Sequence, residues 1–278
     1  MSDVVQTLRC YGIEPRRELG QHFLVDARAL ARIVAAAELS AEDAVLEIGA
    51  GVGNLTRLLA KEAGRVVAVE IDRRFLPILE AELTGRPNVH LVTGDILALD
   101  PSELMGEGPY KVVANLPYAI TSAVLRHLLE ARVPPTRMVV TVQREVAERI
   151  VARSGRMSLL AVSVQFYGRP QLLFRLRPGA FYPPPEVESA VVRIDRHPRP
   201  PVGVADVAWF FQVVRAGFSQ PRKQLSNSLA SGLGIPSDAA ADALARAGID
   251  PRIRAERLAL EDWARLAGVL TRLMPQEG

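Results

Sequence analysis

Cysteine is almost missing from these 278 residues: Cys10 is the single thiol. No intramolecular disulfide can form, no cysteine cluster can hold zinc, and Cys10 has no neighbouring motif suited to redox or nucleophilic work. Long apolar runs are missing too. Nothing approaches the roughly 20 residues that a membrane helix needs, and Met1 to Pro15 has neither the basic start nor the apolar middle of a secretory signal. A cytoplasmic protein with no membrane attachment is therefore expected. No internal repeat is evident. Apolar residues make up 49% of the chain and charged ones 23%, the balance of a folded protein with a sizeable core. At roughly 150 residues per domain, one large domain and a smaller one are expected.

Lysine is scarce as well. Only Lys61, Lys111 and Lys223 stand among 34 basic residues, the rest being arginine. The net charge of +3 conceals an uneven distribution: residues 38–108 carry six basic and thirteen acidic groups, residues 109–278 twenty-three and fourteen. The densest stretch, 144–177, has seven arginines against Glu145 and Glu148. Such a run suits a polyanion, with Arg144, Arg149 and Arg153 as candidate phosphate contacts. An arginine excess also follows from genomic base composition or heat adaptation, so charge alone does not decide the partner.

Between Ala44 and Ile194 short β-branched runs alternate with helix-like stretches, the pattern of a doubly wound α/β sheet. Seven strands are predicted: Ala44–Ile48, Val66–Val69, Val89–Val92, Lys111–Ala114, Met138–Val142, Gln171–Leu176 and Ala190–Ile194. Only the proline-rich loop Arg177–Pro185 separates the last two, so they are expected as an antiparallel pair that makes the sheet mixed at one edge. Asp26–Ala37 reads as an amphipathic helix with Asp26 as its N-cap. A proline-rich linker, His197–Pro201, precedes helical periodicity. The expected division is a first domain of residues 1–200 and a small helical domain of residues 201–278.

Directly after the first predicted strand comes Glu47-Ile48-Gly49-Ala50-Gly51-Val52-Gly53-Asn54. A dinucleotide fingerprint would place its third glycine at Asn54. An acid ahead of the turn repels a pyrophosphate but suits a phosphate-free cofactor carrying an ammonium and a sulfonium. Glu70, with Ile71 beside it, lies nineteen residues beyond Gly51, the spacing at which a carboxylate accepts hydrogen bonds from both ribose hydroxyls. Asp95 ends the third strand and suits an adenine amino group, with the apolar Ile96 to cover the ring. These three strand ends share one crevice on the carboxyl side of the sheet. The fourth strand ends in Asn115-Leu116-Pro117-Tyr118, which resembles the Asn/Asp-Pro-Pro-Tyr motif of methyltransferases acting on exocyclic amines of adenine or cytosine. An aryl amine delocalises its lone pair. It has to be held through its two protons so that the lone pair points at the methyl group, and the Asn115 side-chain oxygen with the Leu116 or Pro117 carbonyl are suitable acceptors. Tyr118 offers a stacking face, and Phe181, on a loop stiffened by Pro183 to Pro185, is the expected second wall for a flipped base. No metal is required.

Over nearly its whole length the chain resembles the small-subunit ribosomal RNA adenine dimethyltransferases, the family associated with kasugamycin sensitivity. Besides the motifs above, Leu19-Gly20-Gln21-His22-Phe23-Leu24 resembles the family's Gly-Gln-Asn-Phe-Leu, and Phe181 to Ile194 its Phe-x-Pro-x-Pro-x-Val-x-Ser-Ala-Val-Val-Arg. Phe218 to Leu229 and Arg254-Ala255-Glu256-Arg257-Leu258 resemble two C-terminal elements. The resemblance implies a Rossmann-like class I methyltransferase fold and S-adenosyl-L-methionine as cofactor. Gln21, His22 and Leu24 would close over it, with Gly49 against its methionine part, Glu70 on the ribose, Asp95 on the adenine and Asn115 between cofactor and target amine. It further implies four methyl transfers to two adjacent adenines in the 3'-terminal hairpin loop of 16S rRNA, within an immature small ribosomal subunit; apart from the resemblance, a monomer is expected. His22 stands where the family has Asn, and Pro221 replaces an Arg, leaving Arg222 and Lys223 as phosphate contacts. Two alternatives keep the fold: a macrolide-resistance enzyme that methylates one adenine of 23S rRNA, and a non-catalytic ribosome-assembly factor.

Overall fold

The computed structural model describes residues 3–273. In chain order its elements are α1 Asp3–Cys10, β1 Phe23–Leu24, α2 Ala27–Ala37, β2 Ala44–Ile48, α3 Asn54–Glu62, β3 Arg65–Glu70, α4 Leu76–Glu82, β4 Val89–Thr93, α5 Pro101–Met105, β5 Tyr110–Asn115, α6 Thr121–Leu129 and β6 Arg137–Gln143. They continue with α7 Arg144–Ile150, α8 Leu159–Tyr167, β7 Gly168–Leu176, β8 Phe181–Tyr182, β9 Ser189–Arg196, α9 Val207–Phe218, α10 Leu225–Leu233, α11 Ser237–Arg246 and α12 Leu260–Leu273. The described chain packs as two units, one ending at residue 147 but including 170–196, the other formed by 148–169 and 197–273.

The first unit is built on a seven-stranded sheet in the order β4-β3-β2-β5-β6-β9-β7. β4, β3, β2, β5 and β6 run parallel, while β9 is inserted antiparallel to β6, between it and β7. The seven predicted strands are these seven. Most are extended by polar residues at their ends, such as Glu70 and Asn115, which carry ladder bonds without belonging to an apolar run. β2 and β3 are buried over nearly their full length, as strands covered on both faces must be. The helix predicted at Asp26–Ala37 is α2: the Asp26 carboxylate accepts from the Arg28 and Ala29 amides at 2.9 and 3.0 Å. Ala29, Leu30, Ile33, Val34 and Ala37 recur at helical spacing and are buried. Strand order reverses at β2/β5, and the carboxyl ends of these two neighbours form the crevice in which open α/β sheets hold ligands.

The second unit is helical. Its core joins Phe166 of α8, Phe210 and Phe211 of α9 and Trp263 of α12; Phe166 stacks on Phe210 at 5.0 Å between ring centroids. This corrects the division expected from sequence, because residues 148–169, assigned there to the first domain, pack with the second unit. α8 is buried on nearly all sides. An apolar stretch of this kind says that it will be interior but not in which core, since the choice is made by aromatic partners some 45 residues downstream. Residues 1–2 and 274–278 of the expected domains lie outside the described residues.

Candidate active site

A pocket opens at the carboxyl ends of β2, β3 and β5. One wall is the segment Leu19–Phe23; the rest is Gly49, Gly51, Glu70, Ile71, Phe75, Asn115 and Pro117. Gly51 has φ +56°, and a Cβ there would stand 2.9 Å from the Phe23 ring, so a side chain is excluded on both counts. Phe23 is held edge-on to Phe75, with centroids 5.5 Å apart.

Glu70 is the charged residue of the lining. It is 5% exposed. One carboxylate oxygen accepts the Gly51 amide at 2.7 Å and the other the Asp72 amide at 2.8 Å. Burial, reinforced by the neighbouring Asp72, raises its pKa, and each oxygen retains a lone pair for a ligand hydroxyl. Glu47 behaves differently from the sequence reading. It lies on the same face of β2 as Val45, 1% exposed, and is no part of the pocket. Strand alternation turns it inward, where burial pushes its pKa up to about 8. The Thr56 hydroxyl beside it offsets part of that rise, although neither Glu47 Oε2 nor the Thr56 hydroxyl makes a well-formed hydrogen bond among the described residues. The acid that meets the pocket is Glu70.

Asn115 donates from Nδ2 to the His22 carbonyl at 2.8 Å, which orients the amide and leaves its oxygen free. Of the two backbone carbonyls considered from sequence, that of Pro117 already accepts from the Ile120 amide at 3.2 Å and the Thr121 hydroxyl at 3.1 Å. The Leu116 carbonyl accepts none among the described residues, although the Leu116 side chain is buried. The Tyr118 hydroxyl is bonded to Ser189 Oγ at 2.7 Å, and burial raises its pKa, so the phenol stays neutral. Its ring stacks on His22, with centroids 5.6 Å apart and planes 22° from parallel. His22 Nδ1 lies 2.8 Å from the Pro183 carbonyl; a carbonyl only accepts, so this nitrogen carries the proton.

Phe181 is not an exposed wall. In the β1–β8 ladder it faces Leu24, while Tyr182 faces Phe23. Directly opposed residues share a face, so Leu24 and Phe181 both enter the core beneath α2, at 3% exposure each. Phe23 and Tyr182 turn to the pocket side. The ring stacked on Tyr118 is therefore His22.

Among the described residues the pocket lining holds no Lys or Arg, and so no counter-charge for a phosphate. Its buried acid, close-approaching glycine and apolar Ile71 and Phe75 fit a cationic, hydroxyl-bearing nucleoside, the chemistry of S-adenosylmethionine. Residues 13–272 match the family described as ribosomal RNA adenine dimethylase. The chain belongs to the ribosomal RNA adenine dimethylase family. It is an rRNA adenine dimethyltransferase. It is 48% identical over 269 residues to the ribosomal RNA small subunit methyltransferase A of Dehalococcoides mccartyi, covering 96% of this chain and 92% of the relative. To the protein so named in Moorella thermoacetica it is 46% identical over 270 residues, 93% of each. Among solved structures it is similar to the 23S rRNA methyltransferase ErmE, with TM-score 0.71, 31% identity, and coverage of 89% of this chain and 99% of that one. A dimethyladenosine transferase from Plasmodium falciparum shares the fold at TM-score 0.77 and 23% identity, over 90% and 98% of the two chains.

The dimethylase pocket gathers Gln21, His22, Gly49, Gly51, Glu70, Ile71 and Asn115 from the residues expected to hold a cofactor. Asp95, exposed, and Ile96, buried, follow β4 outside the lining; Asp95 accepts the Leu97 amide at 3.0 Å. Leu24 contributes its side chain to the core and its carbonyl to Asn54. Arg149, Arg153, Arg222 and Lys223 are exposed in the second unit, without ion-pair partners among the described residues. Arg144, in the first unit, is paired with Glu188 at 2.8 Å. Sequence reasoning missed Phe75, Phe23 and above all Asp72, whose signal was its place two residues after Glu70.

No helix among the described residues is long and apolar enough to cross a membrane.

Proposed function

We propose that the protein transfers methyl groups from S-adenosyl-L-methionine to N6 of two adjacent adenines in the 3'-terminal hairpin loop of 16S rRNA, acting as a monomer in the cytoplasm on an immature small subunit. One observation carries this reading: a pocket with a buried acid, and with no Lys or Arg among its described lining residues, reaches Asn115 and Pro117 of the Asn115-Leu116-Pro117-Tyr118 turn. The high identity to small-subunit methyltransferases A supports the choice of RNA. S-adenosylmethionine supplies a methyl group on a sulfonium, already a good electrophile. Glu70 holds the ribose hydroxyls, Gly49 and Gly51 let the backbone approach, and Gln21 and His22 cover the site. Asp95 and Ile96 stand at the adenine end, and Leu24 offers only its backbone. The free Asn115 oxygen and the Leu116 carbonyl accept the two amine protons and aim the nitrogen lone pair. Pro117 shapes the turn and Tyr118 stacks the extruded base. After transfer the surplus proton leaves to water. Arg149, Arg153, Arg222 and Lys223 contact phosphates, and Arg144 does so once released from Glu188.

A second reading, methylation of large-subunit RNA, is favoured by the 31% identity to ErmE. Both are tested by methyl transfer from labelled cofactor to unmethylated small-subunit particles and, in parallel, to large-subunit RNA, followed by nucleoside mass analysis. Dimethyladenosine in the small-subunit RNA, lost in Asn115→Ala, is expected. Label only in the large-subunit RNA moves the protein to the second reading. No label in either refutes both.

A further inference from the structure

We propose that Asp72 is a positioning residue that latches the segment Arg16–His22 across the cofactor pocket and joins this latch to Glu70, so that cofactor binding and closure of the segment are one event. The inference takes its ligand from the methyl-transfer reading above.

Leu19–Phe23 forms one wall of the pocket, so a ligand held there is covered by this segment. Gln21 fastens it. The Gln21 side-chain carbonyl accepts the Arg16 amide at 2.8 Å, and Nε2 donates to Asp72 Oδ2 at 2.8 Å, across 51 positions of sequence. Two of its four hydrogen-bonding directions are left for a ligand. A second tie starts from the same carboxylate: Arg74 donates to Asp72 through Nε at 2.9 Å and Nη2 at 2.6 Å, and through Nη1 to the Glu14 carbonyl at 3.1 Å. Asp72 is 5% exposed and lies outside the pocket lining, so it acts through its neighbours. Its own amide donates to Glu70 Oε1, while Glu70 Oε2 takes the Gly51 amide. The glycine turn, the ribose-facing carboxylate, Asp72 and Gln21 thus form one unbroken hydrogen-bonded chain. Beyond Gln21, the His22 carbonyl orients Asn115, so a shift of the segment reaches the residue that holds the target amine. Each exchange of spent for fresh cofactor requires the Gln21–Asp72 bond to open.

The test is a double-mutant cycle on the full chain, with S-adenosylhomocysteine as probe in calorimetric titration. Gln21→Glu sets two carboxylates against each other, and Asp72→Asn removes the charge that Arg74 grips. The combined variant restores a donor facing an acceptor with the roles exchanged. Each single change is expected to weaken binding at least tenfold and to raise hydrogen exchange in residues 14–22; the double is expected to recover at least half of the logarithmic loss. In steady state, KM for the cofactor should rise several times more than kcat falls. Gln21→Ala, on a half-exposed segment, is the variant to use if Asp72→Asn does not fold. Strictly additive effects, or single variants that bind as tightly as wild type, overturn the latch. A wild-type protein that does not bind the probe at all overturns instead the reading on which the latch rests.

Discussion

The two ends of the same sheet treat charge in opposite ways. Where β5 and β6 begin and β9 finishes, charges are closed into pairs. Arg137 contacts Glu38 and Asp195 at 2.6 Å each, and Arg193 contacts the same two at 2.7 and 2.8 Å. Lys111 binds Asp43 at 3.0 Å and the Glu38 carbonyl at 2.7 Å. At the other end Glu47, Glu70 and Asp72 are all buried, and only Asp72 has a cation, Arg74, which holds its pKa down at about 2. Burial raises the other two. The difference teaches where the fold keeps its stability. Closed ion pairs secure the end away from the pocket, while at the pocket end Glu70 faces the cavity with no cation beside it among the described residues.

Breaking the comparison at the ligand end gives the largest effect. Asn115→Ala is expected to lower methyl transfer by about 100–1000-fold, the scale of losing one positioned hydrogen-bonding group, with the melting temperature nearly unchanged; a comparable loss of stability would make Asn115 structural. Glu47→Gln comes next. The unfolded chain releases the Glu47 proton near its ordinary value of 4.5, whereas the folded chain keeps it until about 8. Wild-type stability should therefore fall as pH rises through that window, by an amount on the order of 5 kcal/mol. Glu47→Gln should flatten the fall in urea titrations at pH 5, 7 and 9, and an unchanged slope would show that Glu47 is ionised in the fold. At the opposite end Asp195→Ala leaves Arg137 and Arg193 with Glu38 as their shared acid and is expected to cost roughly 1–2 kcal/mol without altering cofactor affinity. A change in affinity there would mean that the two ends are coupled. The smallest effect is expected from Tyr118→Phe, which leaves Ser189 Oγ without its partner. It should cost about 1 kcal/mol and keep transfer within about tenfold, because the stacking ring remains; a larger drop would assign the hydroxyl a part in the reaction.

Legibility followed the range of the interactions. β2 was predicted to the residue and α2 with its cap, because a short apolar run ahead of a glycine turn and an Asp N-cap are local signals. The glycine turn, Glu70 and Asn115 were legible for the same reason: each ends a strand, and parallel strands bring their carboxyl ends together. Phe181 was misread because its orientation is set by pairing with Leu24, 157 residues earlier. Glu47 was misread because its position next to the glycines hides the alternation that turns it inward. Asp72 was marked only by its place two residues after Glu70, and its role was hidden because its partner Gln21 is brought to it by the path of the N-terminal segment.

Sequence by itself determined the order of strands and helices, the doubly wound architecture and many of the residues that line the pocket, because backbone preference and strand ends are properties of contiguous stretches. Tertiary structure decided which core took α8, which ring stacked on Tyr118, which backbone carbonyl stayed open beside Asn115, and which acid met the pocket. Each of these depends on what stands opposite a residue, and in this chain the opposite group is almost always far away in sequence.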